Sequence, residues 1–421
     1  MPARNHDNDS LIATLLSWFQ FSLFGFSAHM LGSNIFPALQ ADQGLLMVYS
    51  IFAAGGLARF AGAMALSPLG DRLGASRLLR SSLVLMAMAT LLIGIVPGAA
   101  RIGVSAALIL LVLRLLQGAA LGGEYTASLS LAVDAAKPQR RGWSSSLSAV
   151  GGQIGFLLGA LSTALVIQQL GHAAAHSWGW RLPFLAAGLV GLVYGLGFGE
   201  KHGVSAVPAP QHQAPSLLAT LHRHGPRLVA IAAVVTFPLV VFNVVFIYFV
   251  NLQTMSTGVL TAQATLFTTV VQVFAVPLLL MGGWLGDRLG DQRLTQWGSV
   301  ALAAVTLPAT ALASMSPLGL FLAQLMTVVP LCVLFSLEGS VLSRWLPQRD
   351  RSTVLAVGYN LANLMASLSL LVSTILQQQL KWSSGPSLYC LIWALPCLLA
   401  LRWLSQEANR DNRTALPPQG I

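Results

Sequence analysis

Apolar residues run in long blocks along this chain, interrupted at short intervals by Gly, Pro and basic residues. The blocks show neither the period-2 alternation of a half-buried strand nor the single stripe of a surface helix. A helix rising 1.5 Å per residue needs about 20 apolar residues to cross a hydrocarbon core of about 30 Å. Twelve blocks meet that length, with approximate limits 11–36, 45–68, 80–98, 103–133, 143–169, 178–199, 227–250, 258–284, 294–314, 317–345, 352–379 and 384–404. The pattern predicts an all-α polytopic membrane protein with twelve transmembrane helices. Connections are short except at 200–226, where Pro208, Pro210, Pro215 and Pro226 mix with His202, His212, His222 and His224 without apolar period. This stretch reads as a linker that separates an N-terminal half, 1–199, from a C-terminal half, 227–421. Its scattered histidines read as solvated polar residues, so no metal site is expected.

Composition agrees with lipid as the main solvent. Of 421 residues 55% are hydrophobic and 9% charged, against about 25% charged in an ordinary soluble domain. A net charge of +10 would suit nucleic acid if the cations clustered on a soluble surface, but they fall in short groups between apolar blocks. With the N-terminus inside, 18 of the 23 cations lie on the inner side, and only Arg101, Arg181 and Lys381 lie outside. Cytoplasmic loops carry this excess, so both termini are expected in the cytoplasm. Cys332, Cys390 and Cys397 sit within apolar blocks and read as small hydrophobes. The polar start, Met1 to Ser10, followed by a long apolar run, predicts no cleavable signal peptide. No phosphate-binding G-x-x-x-x-G-K-[ST] occurs, which excludes ATP as an energy source on this chain. No cofactor is expected.

Leu69-Gly70-Asp71-Arg72-Leu73-Gly74-Ala75-Ser76-Arg77 follows the second block, and Leu285-Gly286-Asp287-Arg288-Leu289-Gly290-Asp291-Gln292-Arg293 follows the eighth. The same LGDRLGxxR thus recurs 216 residues on, at corresponding places of the two halves. One copy would be a tight glycine turn with basic anchors. Two in register resemble the major facilitator superfamily, which carries such a loop between the second and third helices of each half. The resemblance implies two pseudo-symmetric six-helix bundles that rock about a central cavity. It also implies an inner gate containing Asp71, Arg72, Asp287 and Arg288, extended to Asp134 and Arg141. Arg114, Gln117-Gly118 and Gly122-Gly123-Glu124-Tyr125 in the fourth block further resemble the metabolite:H+ symporter family. Leu57-Ala58-Arg59, Arg140-Arg141-Gly142 and Trp178-Gly179-Trp180-Arg181-Leu182-Pro183-Phe184 strengthen that likeness. Where those symporters show an acidic pair in the first helix, this chain has Ser17-Trp18-Phe19-Gln20-Phe21.

Charges at bilayer depth cost at least about 2.5–3.5 kcal/mol and mark pathways or buried pairs. Arg59, Arg114, Glu124 and Glu338 are such charges. Glu124 and Glu338 are the proton-coupling candidates; Glu124 is preferred, because Glu338 lies about one turn nearer the inner side and could belong to the inner gate near Arg344. Glu124 lies at a depth similar to Arg59, so a structural ion pair between these two is the alternative. Arg114, Arg59, Gln20, Gln153, Asn243 and Asn360 are the substrate-binding candidates, since a guanidinium fork matches a carboxylate; each lone amide could equally be interhelical glue. Gly151, Gly155 and Gly159 form a small-residue stripe suited to close helix contact.

These features predict a proton-coupled secondary transporter of a small polar, carboxylate-bearing metabolite, monomeric and embedded in the cytoplasmic (inner) membrane of a bacterium. The alternative is a proton-driven exporter of an anionic metabolite such as a carboxylate siderophore, or of drugs. The missing acids of the first helix favour export. The absence of Gly-Pro in the fifth, where Phe156 follows Gly155, favours uptake. No intramembrane catalytic constellation or soluble signalling domain is present, so an enzyme and a sensor are excluded.

Overall fold

A computed structural model of the chain describes the backbone of residues 6–73, 75–135, 138–201, 217–257, 261–345, 351–382 and 384–414. Side chains are described for 11–66, 78–122, 139–197, 222–253, 266–345, 354–382 and 384–407. Helices make up nearly all of this, and no strand occurs among the described residues. The first half contains α1 (His6–Phe26), α2 (Ala28–Ile35), α3 (Ala41–Leu73), α4 (Ala75–Ile95), α5 (Ala99–Ile102), α6 (Ser105–Ala135), α7 (Arg141–Ala174) and α8 (Arg181–Lys201). The second contains α9 (Leu217–Asn243), α10 (Phe249–Thr257), α11 (Thr261–Leu289), α12 (Asp291–Met315), α13 (Pro317–Arg344), α14 (Arg351–Thr374), α15 (Gly385–Ile392) and α16 (Ala394–Thr414).

Among the described residues ten helical stretches are long and apolar enough to cross a membrane, and the α1–α2 pair, bent by 57°, makes an eleventh. The apolar part of α8, Arg181–Gly197, is shorter and stands where the sixth span is expected. Helix α9 starts at Leu217, ahead of the apolar run that opens near residue 227, so the second half of the expected linker's length is partly helical. Large apolar side chains such as Leu57, Leu108, Val193, Phe274 and Val300 are exposed on the outside. An apolar surface this extensive is unusual for a protein in water and is what acyl chains require.

Within the first half α1 packs on α7, α3 on α6 and α4 on α8; within the second α12 packs on α13, α9 on α14 and α11 on α13. The halves meet chiefly through α7 against α11 and α3 against α14. The glycine stripe of α7 faces α1: a methyl added at Gly155 would collide with the Leu15 carbonyl oxygen and the Phe19 amide. The contact between halves is similarly bare. A methyl at Gly142 would come within 2.6 Å of the Gly283 carbonyl oxygen, and one at Gly283 equally close to that of Gly142.

Irregular backbone is compensated locally, as a membrane interior demands. Pro238 inside α9 cannot donate to the carbonyl four residues back; that Val234 oxygen instead accepts the Cys397 thiol at 3.7 Å. A π-helical turn at Val244–Tyr248 then links α9 to α10. Gly290 has φ +93°, a left-handed value that favours glycine, and it lets α11 turn directly into α12. Beyond the turn, the buried Asp291 carboxylate takes Arg344 Nε at 2.9 Å and the Ser340 hydroxyl at 2.6 Å.

Candidate functional site

Between the two halves lies a cavity of about 70 Å³. The first half contributes Trp18 and Phe21 from α1 and Gly152, Gln153 and Phe156 from α7. From the second come Phe242, Asn243, Phe335, Glu338, Tyr359 and Asn363. Three of the expected residues, Gln153, Asn243 and Glu338, therefore stand in one wall-to-wall space. Gln153 Nε2 bridges the halves by donating to Gln272 Oε1. Asn243 Nδ2 donates to the Ala366 carbonyl at 2.8 Å, and Asn363 Nδ2 to that of Tyr359 at 2.9 Å. Glu338, half-buried on α13, also borders a smaller cavity inside the second half, beside Pro238, Thr295 and Val341.

The other expected binding residues stand outside this lining. Arg114 is 1% exposed, with its guanidinium carbon 4.5 Å from the ring centres of Phe21, Phe24 and Phe52. Its Nη1 donates to Gln117 Oε1 at 3.0 Å, while Nε and Nη2 have no hydrogen-bond partner among the described residues. Gln117 Nε2 continues to Thr90 Oγ1 at 2.7 Å, and Thr90 Oγ1 donates to Gln20 Oε1 at 3.0 Å. Arg114 and Gln20 thus belong to a polar chain inside the first half, and Phe21 stands between Arg114 and the cavity. Arg59 is 2% exposed and lies beyond the cavity's aromatic wall, 5.9 Å from the Trp18 ring centre and 5.6 Å from that of Tyr359.

Contacts between the halves flank the cavity towards both ends. At the end bearing the LGDRLG turns, the Asp287 carboxylate caps α7: the Gly142 amide donates to Oδ1 at 2.8 Å and the Trp143 amide to Oδ2 at 3.0 Å. An anion there meets the unsatisfied amides and positive dipole of a helix start. The Gly339 amide donates to Ser145 Oγ at 3.0 Å. Nearer the cavity, Arg59 Nε donates to Asn360 Oδ1 at 2.9 Å, and Asn360 Nδ2 donates to the Gly122 carbonyl at 3.0 Å. Asn360 is therefore a clamp between halves. Of the expected gate, Asp287 makes this inter-half contact, and Arg288 stacks on Trp284 at 4.0 Å. Arg141 Nε is buried with no hydrogen-bond partner among the described residues. The side chains of Asp71, Arg72, Asp134 and Glu124 lie outside the described residues. At the far end Asn251 Nδ2 reaches the Gly25 carbonyl at 3.4 Å, and Phe156 meets Phe242 edge to face at 4.8 Å.

Sequence reasoning missed Asp291, the aromatic lining and the far closure. Asp291 carried a signal, since it directly follows the second LGDRLG; a cavity-facing Phe has none, because a lipid-facing Phe looks the same in sequence.

Comparison with known proteins agrees with this architecture. The chain is 28% identical over 427 residues to the glycine betaine/proline/ectoine/pipecolic acid transporter of Dickeya dadantii, covering 96% of this chain and 84% of that protein. It is 29% identical to the shikimate transporter of Escherichia coli K12 over 71% of this chain and 70% of that one. Among solved structures, a D-xylose-proton symporter superposes with a TM-score of 0.71 at 16% identity, covering 94% of this chain and 96% of that one; this likeness speaks for the fold. The sequence profile of the Major Facilitator Superfamily matches residues 10–267. With that match over more than half its length, and with a cavity lined from both helical halves, the chain belongs to the major facilitator superfamily and is a multi-pass membrane transporter of small polar solutes.

Proposed function

We propose that this transporter couples the movement of a small, carboxylate-bearing solute to protons by alternating access across the cytoplasmic membrane. In this reading the LGDRLG end and both termini face the cytoplasm. One observation carries the reading: a cavity lined from both halves, with contacts between the halves beyond it at each end and an ionisable Glu338 in its wall. Parting either set of contacts while keeping the other opens the cavity to one side only. Glycine betaine, proline, ectoine, pipecolic acid and shikimate, the solutes that the relatives' names carry, all bear a carboxylate, which supports the solute class. Glu338 is the proposed proton site, with Glu124 as the second candidate. Arg59, beyond the ring wall and tied to the Asn360 clamp, is the proposed partner for a carboxylate as the halves part.

Uptake of labelled members of this set into proteoliposomes tests the proposal. An imposed gradient, acid outside, is expected to drive accumulation above equilibrium, and a protonophore to abolish it. Glu338→Gln is expected to lose accumulation while retaining solute exchange. Equilibration that ignores the pH gradient refutes proton coupling, and entry of no member refutes the solute class.

A further inference from the structure

Among the described lining residues of the central cavity three carry amides: Gln153 from the first half, Asn243 and Asn363 from the second. The two asparagines are held inside their own half, since Asn243 Nδ2 donates to the Ala366 carbonyl at 2.8 Å and Asn363 Nδ2 to that of Tyr359 at 2.9 Å. Gln153 differs. Its Nε2 crosses to Gln272 on α11, donating to Oε1 and, at 3.3 Å, toward the Gln272 carbonyl. Gln153 is half-buried and borders the cavity, whereas Gln272 is 1% exposed and stands outside the lining. The pair is in register with the bare glycine contact of the same two helices. Gln153 lies 11 residues on from Gly142, and Gln272 lies 11 residues before Gly283. Antiparallel helices that touch at Gly142 and Gly283 therefore meet again about 16 Å along their axes.

Helices α7 and α11 are thus joined at two points, backbone on backbone toward the LGDRLG end and amide on amide beside the cavity. The amide joint is a loose one. Gln272 Nε2 is buried and has no hydrogen-bond partner among the described residues. A buried donor left without an acceptor offsets much of what a neutral hydrogen bond contributes, so little ties Gln153 to this partner in preference to another. We infer that Gln153 is the residue through which the joint between the halves senses the solute. With the cavity empty its N–H goes to Gln272 and ties α7 to α11. With the cavity filled it goes to an acceptor oxygen of the solute, and the tie is released. The inference rests on the transport reading above and adds how occupancy of the cavity reaches the contact that must part. It makes Gln153 a binding residue and Gln272, which touches no solute, a positioning residue.

Gln153→Met and Gln272→Met remove the two ends of one bond and put apolar chains of similar length in their place. Each is made in the full-length protein carrying Ala149→Cys, a lining position one turn from Gln153, and a melting curve shows that it is folded. The corresponding Leu variants stand in where a Met variant melts early. With no solute present, maleimide labelling of the cysteine is expected to rise in both variants, since either one loses the tie. Calorimetric titration with proline, glycine betaine and shikimate then separates them. Affinity is expected to fall at least about threefold in Gln153→Met, which loses the donor to the solute, and to rise at least about threefold in Gln272→Met, where no tie has to break first. The double variant is expected to match Gln153→Met. A tie that only held the helices together would move both affinities the same way. That outcome, or unchanged labelling of both empty variants, overturns the inference, while solute uptake by the wild type keeps the transport reading standing. Raised labelling with no binding of any of the three solutes to the wild type strikes the solute class and the sensing role together.

Discussion

Asp287→Asn probes the closure at the LGDRLG end with almost no change of shape. The carboxylate accepts the first two amides of α7, at 2.8 and 3.0 Å, from the opposite half of the molecule. A negative group at an exposed helix start contributes about 0.3–1 kcal/mol, and a charge-assisted hydrogen bond is roughly twice as strong as a neutral one. Asp287 is exposed, so solvent screens it; Asn also keeps one oxygen that accepts one of the two amides. The expected loss is about 1 kcal/mol, which moves the ratio of open to closed forms at this end about fivefold. Ala149 lines the cavity, and the native Cys332, Cys390 and Cys397 are buried, so an Ala149→Cys reporter has a quiet background. In vesicles presenting the LGDRLG end, its reaction with an impermeant maleimide is expected to rise about fivefold in Asp287→Asn. The rise is expected to shrink at high salt, which screens exposed charges. An unchanged labelling rate in a folded variant would refute Asp287 as a latch between the halves.

Gly155→Leu is expected to cost at least about 1–3 kcal/mol by overpacking, since even a methyl there collides with α1. Gly197→Leu, whose site has nothing within 4 Å, is the tolerated control; a melting curve in detergent separates the two. Arg114→Met is expected to leave the melting temperature unchanged or raise it, because a deeply buried cation with one hydrogen bond is often replaced by an apolar chain without loss. A fall of several degrees would show that the three rings and Gln117 over-compensate its desolvation. Gly290→Ala is expected to cost about 1–2 kcal/mol, the penalty for a side chain at positive φ. Equal stability of the wild type and Gly290→Ala would refute the strained turn.

Most of the spans and the turn at Gly290 were legible because both are written in the chain locally: apolar length sets a span, and Gly290 is the residue that a left-handed turn favours. The stripe at Gly151, Gly155 and Gly159 was legible for the same reason, as a period along one helix. Which polar residue faces the cavity was not. Gln20 and Gln153 look alike in an apolar run, yet one turns into its own bundle toward Thr90 and the other crosses to Gln272. A helix packed on most sides has no single polar face, so the period that reveals direction in a surface helix carries little here. Arg114 shows the limit most plainly: its depth was readable, but the three rings around it come from α1 and α3, and no spacing along α6 announces them.

The bare approach of Gly142 to Gly283 bears on speed as well as on closeness. Where helices interlock, separating them means lifting each side chain out of its socket and losing its dispersion contacts before new ones form. Backbone resting on backbone has no sockets. In the proposed rocking motion α7 would move over α11 on backbone at this point, and the Asp287 bonds to the Gly142 and Trp143 amides would be the contacts to break. Adding a side chain at Gly283 would act first on the form described here, since even a methyl meets the Gly142 carbonyl oxygen and Ser146, and would push the halves apart at this joint.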